Sequence, residues 1–374
     1  MNAGSERGQS GLRIRDGGTW AGQLLLGAGC FIFVTMKGRH IQTWTVMLGC
    51  VALWAGCLKT PPSPPAPEYV DFFQVPEGWP APAFPEDNAP DDLRWALGRA
   101  LFFDPRLSLD GEVSCATCHL PEKAFSAPEP ITPGAFGAVG ERNAATLTNV
   151  AYQPHFMSEG GVPTLEMQVL VPLQEPSEMA HNIVTACEEL AADYEVQAQA
   201  AYGRGLDPFV MTRALATFQR ALLSGDAPWD RWQRGATVSP EVERGAALFG
   251  AEGLDCGRCH TPPMFTSHGF ANNGLDPVSV DPGRWRLTGE PADSGAFKIP
   301  TLRNIGFTAP YMHDGRFEDL GDVLDHYASG GAGHAHQDSL LAPFTLSEDE
   351  RSDLLAFLGA LNDTAFVNDA RWRP

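Results

Sequence analysis

The sequence predicts an all-α protein of two small helical domains with long connecting loops, and three observations carry that prediction. A C-x-x-C-H cluster occurs twice, as Cys115, Cys118 and His119 in GEVSCATCHLPEKAF and as Cys256, Cys259 and His260 in GLDCGRCHTPPMF. A helical segment of the form G-x-A-L-F precedes each cluster, in LRWALGRALFFDPRLS and in VERGAALFGAEGLD. No stretch carries the two-residue alternation of a convincing sheet. Two thiols with an adjoining histidine are the attachment pattern of a c-type haem, in which thioethers fix the porphyrin and the histidine binds iron. A zinc ribbon would need its two C-x-x-C pairs close together, and a redox disulfide has no use for the histidine. The chain is therefore expected to carry two covalently bound c-type haems, each in a cytochrome c-like domain.

Taken in order, residues 1–57 read as a leader and are set aside from the fold. Lys37, Arg39 and His40 form a basic start after Met36, an apolar run follows, and small residues precede Cys57. The segment looks like a bacterial lipoprotein signal with Cys57 as the lipidated residue. Trp54 stands where leucine is usual, and Cys50 is a weaker candidate. This predicts translation from Met36, export to the periplasm and a lipid anchor to the membrane; an ordinary cleaved signal is the alternative. Neither this run nor the earlier apolar run LLLGAGCFIFV, within residues 1–35, is a comfortable span of ~20 residues. Residues 58–67 are a Pro-rich linker that cannot build a core.

The first haem domain is expected over 68–235 and the second over 236–374, with the boundary in the polar stretch SGDAPWDRWQRGATVS, after a helix ending around Leu223. Ser239 and Pro240 open a helix as N-cap and first helical residue. Ser347 and Glu350 have capping-box spacing ahead of a helix whose inner side is Leu354, Leu355, Phe357, Leu358 and Leu361. Of eight cysteines, three lie in the leader and four in the haem clusters, so Cys187 is left as a small buried residue. A formal charge of −20 excludes a nucleic-acid partner, which needs a basic footprint, and gives a soluble acidic surface.

An electron-transfer haem takes two protein ligands, whereas a catalytic one keeps a position open. After His119 no histidine or methionine occurs until His155 and Met157, which points to an open first iron. Opposite His260 the candidates are Met264, Met312, His313, His326 and Tyr327. In FEDLGDVLDHYASGG the apolar residues Leu320, Val323, Leu324 and Tyr327 follow helical spacing. Tyr327 thus lies on the buried stripe, as an iron ligand or as a core aromatic, while Asp325 and His326 point away from it.

LGRALFFDPRLS, SCATCH, RNAATLTNVAY, FKIPTLRNIGFTAPYMHDGRF and DHYASGG together resemble the bacterial dihaem cytochrome c peroxidase and MauG superfamily, over residues 68–374. VPEGWPAPAFPEDNAP and FTLSEDERSDLLAFLGALNDTAF are most similar to its MbnH branch. The resemblance implies His119 as proximal ligand of a peroxidatic haem, Glu178 as the distal acid–base residue and Gln168 as the distal amide. It implies Tyr327 opposite His260, where ordinary peroxidases have methionine, and His313 hydrogen-bonding near the second haem. It also implies a calcium ion held by Asn143 and the backbone oxygens of Thr308 and Pro310. Ser158 stands where the family has a tryptophan between the haems, leaving Phe156, Tyr152 or the haem edges to couple them. The implied function is use of hydrogen peroxide to form a high-valent dihaem state that oxidises a partner protein at tryptophan. Trp229, Trp232 and Trp285 are candidate surface relays for the electrons, or else packing residues. The alternative is reduction of peroxide to water with electrons from a small redox protein. A non-enzymatic electron carrier is a third reading.

Overall fold

Asp91 starts the first helix, α1 (Asp92–Phe102), by accepting from the backbone N–H groups of Leu93 at 2.9 Å and Arg94 at 3.1 Å. Its buried face is Leu97, Gly98, Leu101 and Phe102. The first haem cluster forms one turn, α2 (Cys115–Cys118). After a long loop come α3 (Leu165–Gln168) and α4 (Leu170–Gln174), then the amphipathic α5 (Ile183–Tyr202) and the buried α6 (Pro208–Arg220). Helix α6 crosses α1 at Gly98. A Cβ there would stand 1.9 Å from the carbonyl oxygen of Ala214, so only glycine permits this approach.

The second half repeats this arrangement. After α7 (Pro228–Gln233), α8 (Pro240–Phe249) leads to the second cluster in α9 (Cys256–Cys259). A loop with α10 (Trp285–Thr288) leads on to α11 (Leu320–Ala328), α12 (Glu348–Gly359) and the short α13 (Thr364–Val367). Helix α12 crosses α8 at Gly245, where a Cβ would meet the Asp353 carbonyl oxygen, again at 1.9 Å. Gly98 and Gly245 are the glycines of the two G-x-A-L-F segments. The repeat seen in the sequence is thus a repeated helix crossing.

The computed structural model describes residues 72–374 and the short antiparallel strands β1 (Leu25–Leu26) and β2 (Ile32–Phe33). Met36, Cys50, Cys57 and the Pro-rich linker, with the readings placed on them, lie outside the described residues. Among the described residues no helix is long and apolar enough to cross a membrane.

Two apolar clusters form the core. The first gathers Leu97, Leu101, Phe102, Phe125, Leu215 and Phe218, and the chain end returns to it through Phe366, Val367 and Trp372. The second gathers Phe249, Phe265, Leu354, Phe357, Leu358 and Leu361. The capping box forms as expected: Ser347 Oγ accepts from Glu350 N while Glu350 Oε2 accepts from Ser347 N at 2.8 Å. Ser239 precedes α8, but its side chain makes no capping bond to the backbone.

Three details differ from the sequence reading. Helix α6 stops at Arg220 rather than near Leu223. The polar stretch after it is ordered as α7, because Asp230 is buried and accepts both guanidinium N–H groups of Arg303 at 2.7 and 2.8 Å. A minimal antiparallel pair also exists, β3 (Phe270–Ala271) with β4 (Phe297–Lys298). A buried polar hub then ties the halves. Asn149 pairs with the Ser224 backbone in both directions, Asn304 donates to Ser224 Oγ at 3.0 Å, and Asp363 N donates to Asn304 Oδ1 at 2.7 Å.

Candidate functional site

Each histidine of the two clusters is fixed by a main-chain carbonyl. His119 Nδ1 donates to Phe125 O at 2.9 Å; His260 Nδ1 lies 3.2 Å from Phe265 O and 3.1 Å from Pro300 O. A carbonyl only accepts, so Nδ1 carries the proton and Nε2 keeps its lone pair. Burial pushes both imidazoles below their usual range, which keeps them neutral. The four thiols are unpaired, and burial raises Cys115 to about 12 and Cys118 and Cys256 to about 11. Free thiol pairs beside neutral imidazoles with a free Nε2 fit covalent haem attachment in both halves. Phe125 and Phe265 supply their carbonyls from left-handed conformations, φ 59° and 51°. Sequence reasoning missed these carbonyls. Their signal was the parallel between NAATLTN and KIPTLRN, which brings the Pro300 carbonyl to His260 as it brings Ala145 to His119.

The repeat continues beyond the histidines. Asn149 and Asn304 are both left-handed, as are Met157 and Met312, and bridges Phe156–Val162 and Tyr311–Phe317 follow. Thr164 then caps α3 and Asp319 caps α11. Eight residues beyond these caps stand Pro172 in the first half and Tyr327 in the second. Proline has no side-chain donor atom for a metal, whereas tyrosine has a hydroxyl, so the register separates the two sites chemically.

On the first side, Glu178 is half-buried. Desolvation of its carboxyl, then the Glu175 charge, raise it above the usual carboxylate range. Its charge in turn raises the Cys115 and Cys118 thiols, so the acid stands within electrostatic reach of the first cluster. Gln168, at the end of α3, turns its amide toward Met157, with Nε2 3.9 Å from Sδ. On the second side, Tyr327 is half-buried in α11. Burial raises its hydroxyl, a hydrogen bond with the Asn273 side chain opposes that, and Cys259 and Cys256 act on it from nearby. Asn273 Nδ2 also donates to Met312 Sδ at 3.3 Å, and its carbonyl accepts from His326 Nε2 at 2.9 Å. Tyr327 and the second cluster are therefore brought together, while His326 is occupied with the main chain.

Asn143 donates through Nδ2 to the carbonyls of Glu129 at 3.0 Å and Pro130 at 3.2 Å, and through its backbone N to His313 O at 2.8 Å. That joins it to the loop holding Thr308 and Pro310, where Thr308 Oγ1 bonds Ile305 O at 3.1 Å and the Ala309–Pro310 peptide is cis. The His313 ring stacks on Phe297 at 4.3 Å. Among the described residues no group of three or more His, Cys, Asp or Glu side chains forms a metal cluster. Ser158 accepts from the backbone N of Lys298 at 2.7 Å. The Lys298 ammonium, lowered to about 8 by burial, donates to Gln153 Oε1 and His155 O. Ser158 is thus tied to the Lys298 main chain, and a Cβ on Gly160 two residues on would meet the Phe270 ring at 2.3 Å. Among the candidate relays, Trp229 packs edge-on against Phe265 at 4.9 Å and Trp285 is 45 % exposed.

Two histidine-anchored C-x-x-C pairs, with the Glu178 charge acting on one and the other acting on Tyr327, define a di-haem c-type protein. Comparison with known proteins gives the same class. A profile of the di-haem cytochrome c peroxidase family matches residues 93–238. The methylamine utilization protein MauG of Methylorubrum extorquens is 39% identical over 298 residues, covering 77% of this chain and 83% of the relative. Cytochrome c peroxidase Ccp of Escherichia coli is 30% identical over 307 residues, covering 78% and 63%. The crystal structure of a MauG-like protein associated with microbial copper homeostasis is 31% identical, with TM-score 0.76 over 80% of this chain and 97% of that one. The chain belongs to the di-haem cytochrome c peroxidase and MauG family.

Proposed function

We propose that the chain is an exported enzyme that uses hydrogen peroxide to oxidise a partner protein at tryptophan, in the manner of MauG and the MbnH branch. One observation carries this reading: the repeat sets Pro172 in the first half where Tyr327 stands in the second, so the halves are built for different work. In this reading His119 alone would hold the first haem iron, and His260 and Tyr327 would hold the second. The haems, when bound, supply the iron centres that accept both oxidising equivalents of peroxide.

Glu178 in its ionised form takes the proton from the near oxygen of hydrogen peroxide. It returns that proton to the far oxygen as the O–O bond breaks, so water leaves. The raised carboxyl suits it to both steps. Gln168, whose amide lies beside Met157, would donate a hydrogen bond to the near oxygen of the peroxide. Tyr327 would give up its phenol proton to solvent on binding iron, and the resulting anionic oxygen would favour oxidised iron, where a methionine would favour the ferrous state. Asn143, with the carbonyls of Thr308 and Pro310, would hold a calcium ion through oxygen donors alone. Export to the periplasm and a lipid anchor at Cys57 complete the proposal.

Low-temperature EPR of the haem-loaded ferric protein tests it, followed by peroxide with and without a reduced small c-type cytochrome. One high-spin and one low-spin signal, both lost on adding peroxide, with slow turnover of the cytochrome, are expected. Fast cytochrome turnover would indicate a scavenging peroxidase. Two low-spin signals with no peroxide reaction would indicate an electron carrier.

A further inference from the structure

The loop after the first cluster, ITPGAFG, contains no side chain of obvious chemistry, yet it is built tightly against Glu178. Thr132, near its start, lies close to the Cys118 thiol and opposes its rise. Ala135 N donates to the Glu178 carbonyl at 2.6 Å. Gly134 presses on the same segment: a Cβ there would lie 2.3 Å from Ser177 O, 2.4 Å from Glu178 O and 2.8 Å from Glu178 Cα. The φ of Gly134 is −85°, an ordinary value, so glycine is required by the contact and not by the conformation. The far side of the loop is tied down as well. Phe136 N donates to Asp110 Oδ2 at 2.6 Å, and Asp110 Oδ1 accepts from Ser108 Oγ at 2.8 Å. On the other flank of the acid, Leu109 N donates to Met179 O at 3.0 Å. The backbone of Glu178 is therefore held between two separate strands of chain.

This holding has a cost that marks it as purposeful. Phe136 sits at φ 58° and is 72 % exposed as a residue. A bulky residue in the left-handed region is strained, and strain of that kind persists only where surrounding contacts impose it. Two bonds converge just ahead of its Cα, from Ala135 N to Glu178 O and from its own N to Asp110 Oδ2.

We propose that Gly134 and the Ala135 N–H are positioning elements for Glu178. They form a fixed brace that sets where the carboxyl stands relative to the first cluster. The proposal rests on Glu178 being the acid–base group. The titratable groups whose charges couple to that carboxyl are Glu175, Cys115 and Cys118.

The test is the rate of the peroxide reaction as a function of pH in haem-loaded full-length protein, with haem absorption and melting recorded on the same samples. Gly134→Ala adds one carbon against the Glu178 main chain. Asp110→Ala frees the other end of the loop without adding any atom. Gly140→Ala, whose Cβ would meet nothing within 4 Å, is the control. Both loop variants should react about 10- to 100-fold more slowly, the cost of a misplacement near 1 Å. Their pH limb should also move to lower pH as the carboxyl gains water, while Gly140→Ala matches the parent. A brace without function predicts lowered melting with an unmoved pH limb, and that result overturns the proposal. Glu178→Gln separates the two levels. If it is slow while Gly134→Ala and Asp110→Ala keep the parental rate and limb, the brace is wrong and the acid–base assignment stands. If Glu178→Gln itself reacts at the parental rate, the assignment fails and the brace with it.

Discussion

At the residue scale, Glu178 and Tyr327 carry the asymmetry between the halves. The Glu178 carboxyl is raised by burial and then by Glu175. Its ionised form is the one that accepts a proton. The peroxide reaction should therefore speed up as pH rises through a value above the ordinary carboxylate range. Glu178→Gln should lower the rate by ~10²–10⁴-fold and abolish that limb, as measured by stopped-flow absorption. Tyr327 makes a separate prediction. Replacement by Phe keeps the ring on the buried stripe of α11 and removes only the hydroxyl near Cys256 and Cys259. The low-spin EPR signal assigned to the second iron should then convert to high-spin, while replacement by Met should give a low-spin signal of His/Met type and a higher reduction potential. An unchanged signal in Tyr327→Phe would move the ligand to another residue, with Met312, 3.3 Å from Asn273, next in line.

At the element scale, the repeated helix crossing explains why the G-x-A-L-F pattern occurs twice. Alanine in place of a helical glycine normally stabilises by up to about 1 kcal/mol. At Gly245 the added carbon meets the Asp353 carbonyl and Phe357 Cβ, so Gly245→Ala should instead lose about 1–3 kcal/mol by overpacking. Gly359, at the exposed end of α12, has nothing within 4 Å, and Gly359→Ala should be neutral or stabilising. Chemical denaturation of the two variants side by side checks the contrast. The helices themselves were legible because their signals are local: the Ser347–Glu350 box, the Pro240 start and the apolar spacing of α11 all sit within a few residues. Helix α7 has local signals too, Pro228 at its start and Asp230 accepting from Ala227 N at 2.9 Å, but the Asp230–Arg303 pair that anchors it spans seventy-three residues and was hidden. The β3–β4 pair was hidden for the same reason, since two-residue strands carry no periodicity.

At the scale of the whole molecule, the attachment residues were readable because covalent chemistry fixes both residue type and spacing. The supports of that chemistry were less so. Main-chain carbonyls at Phe125, Phe265 and Pro300 do the orienting, and a carbonyl leaves no mark on residue identity. The junction between the halves is of the same kind. Asn304 is fully buried at φ 63°, donates to Ser224 Oγ and accepts from Asp363 N, while Asp363 Oδ2 accepts from Ser224 Oγ and Asp226 N. One side chain thus links the end of the first half, the second half and the returning chain end. Asn304→Ala takes the acceptor from Asp363 N, removes one of the two bonds of Ser224 Oγ and puts alanine in a left-handed conformation. The two effects together should cost about 2–5 kcal/mol. Because Phe366, Val367 and Trp372 pack in the first cluster, the hub is also what keeps the chain end attached to both. The haem-loaded parent should therefore melt in one cooperative calorimetric transition, and Asn304→Ala should split it into two, the second cluster melting apart from the first. A single transition merely displaced to lower temperature would show that the halves are coupled through other contacts, with Asp230–Arg303 the next pair to break.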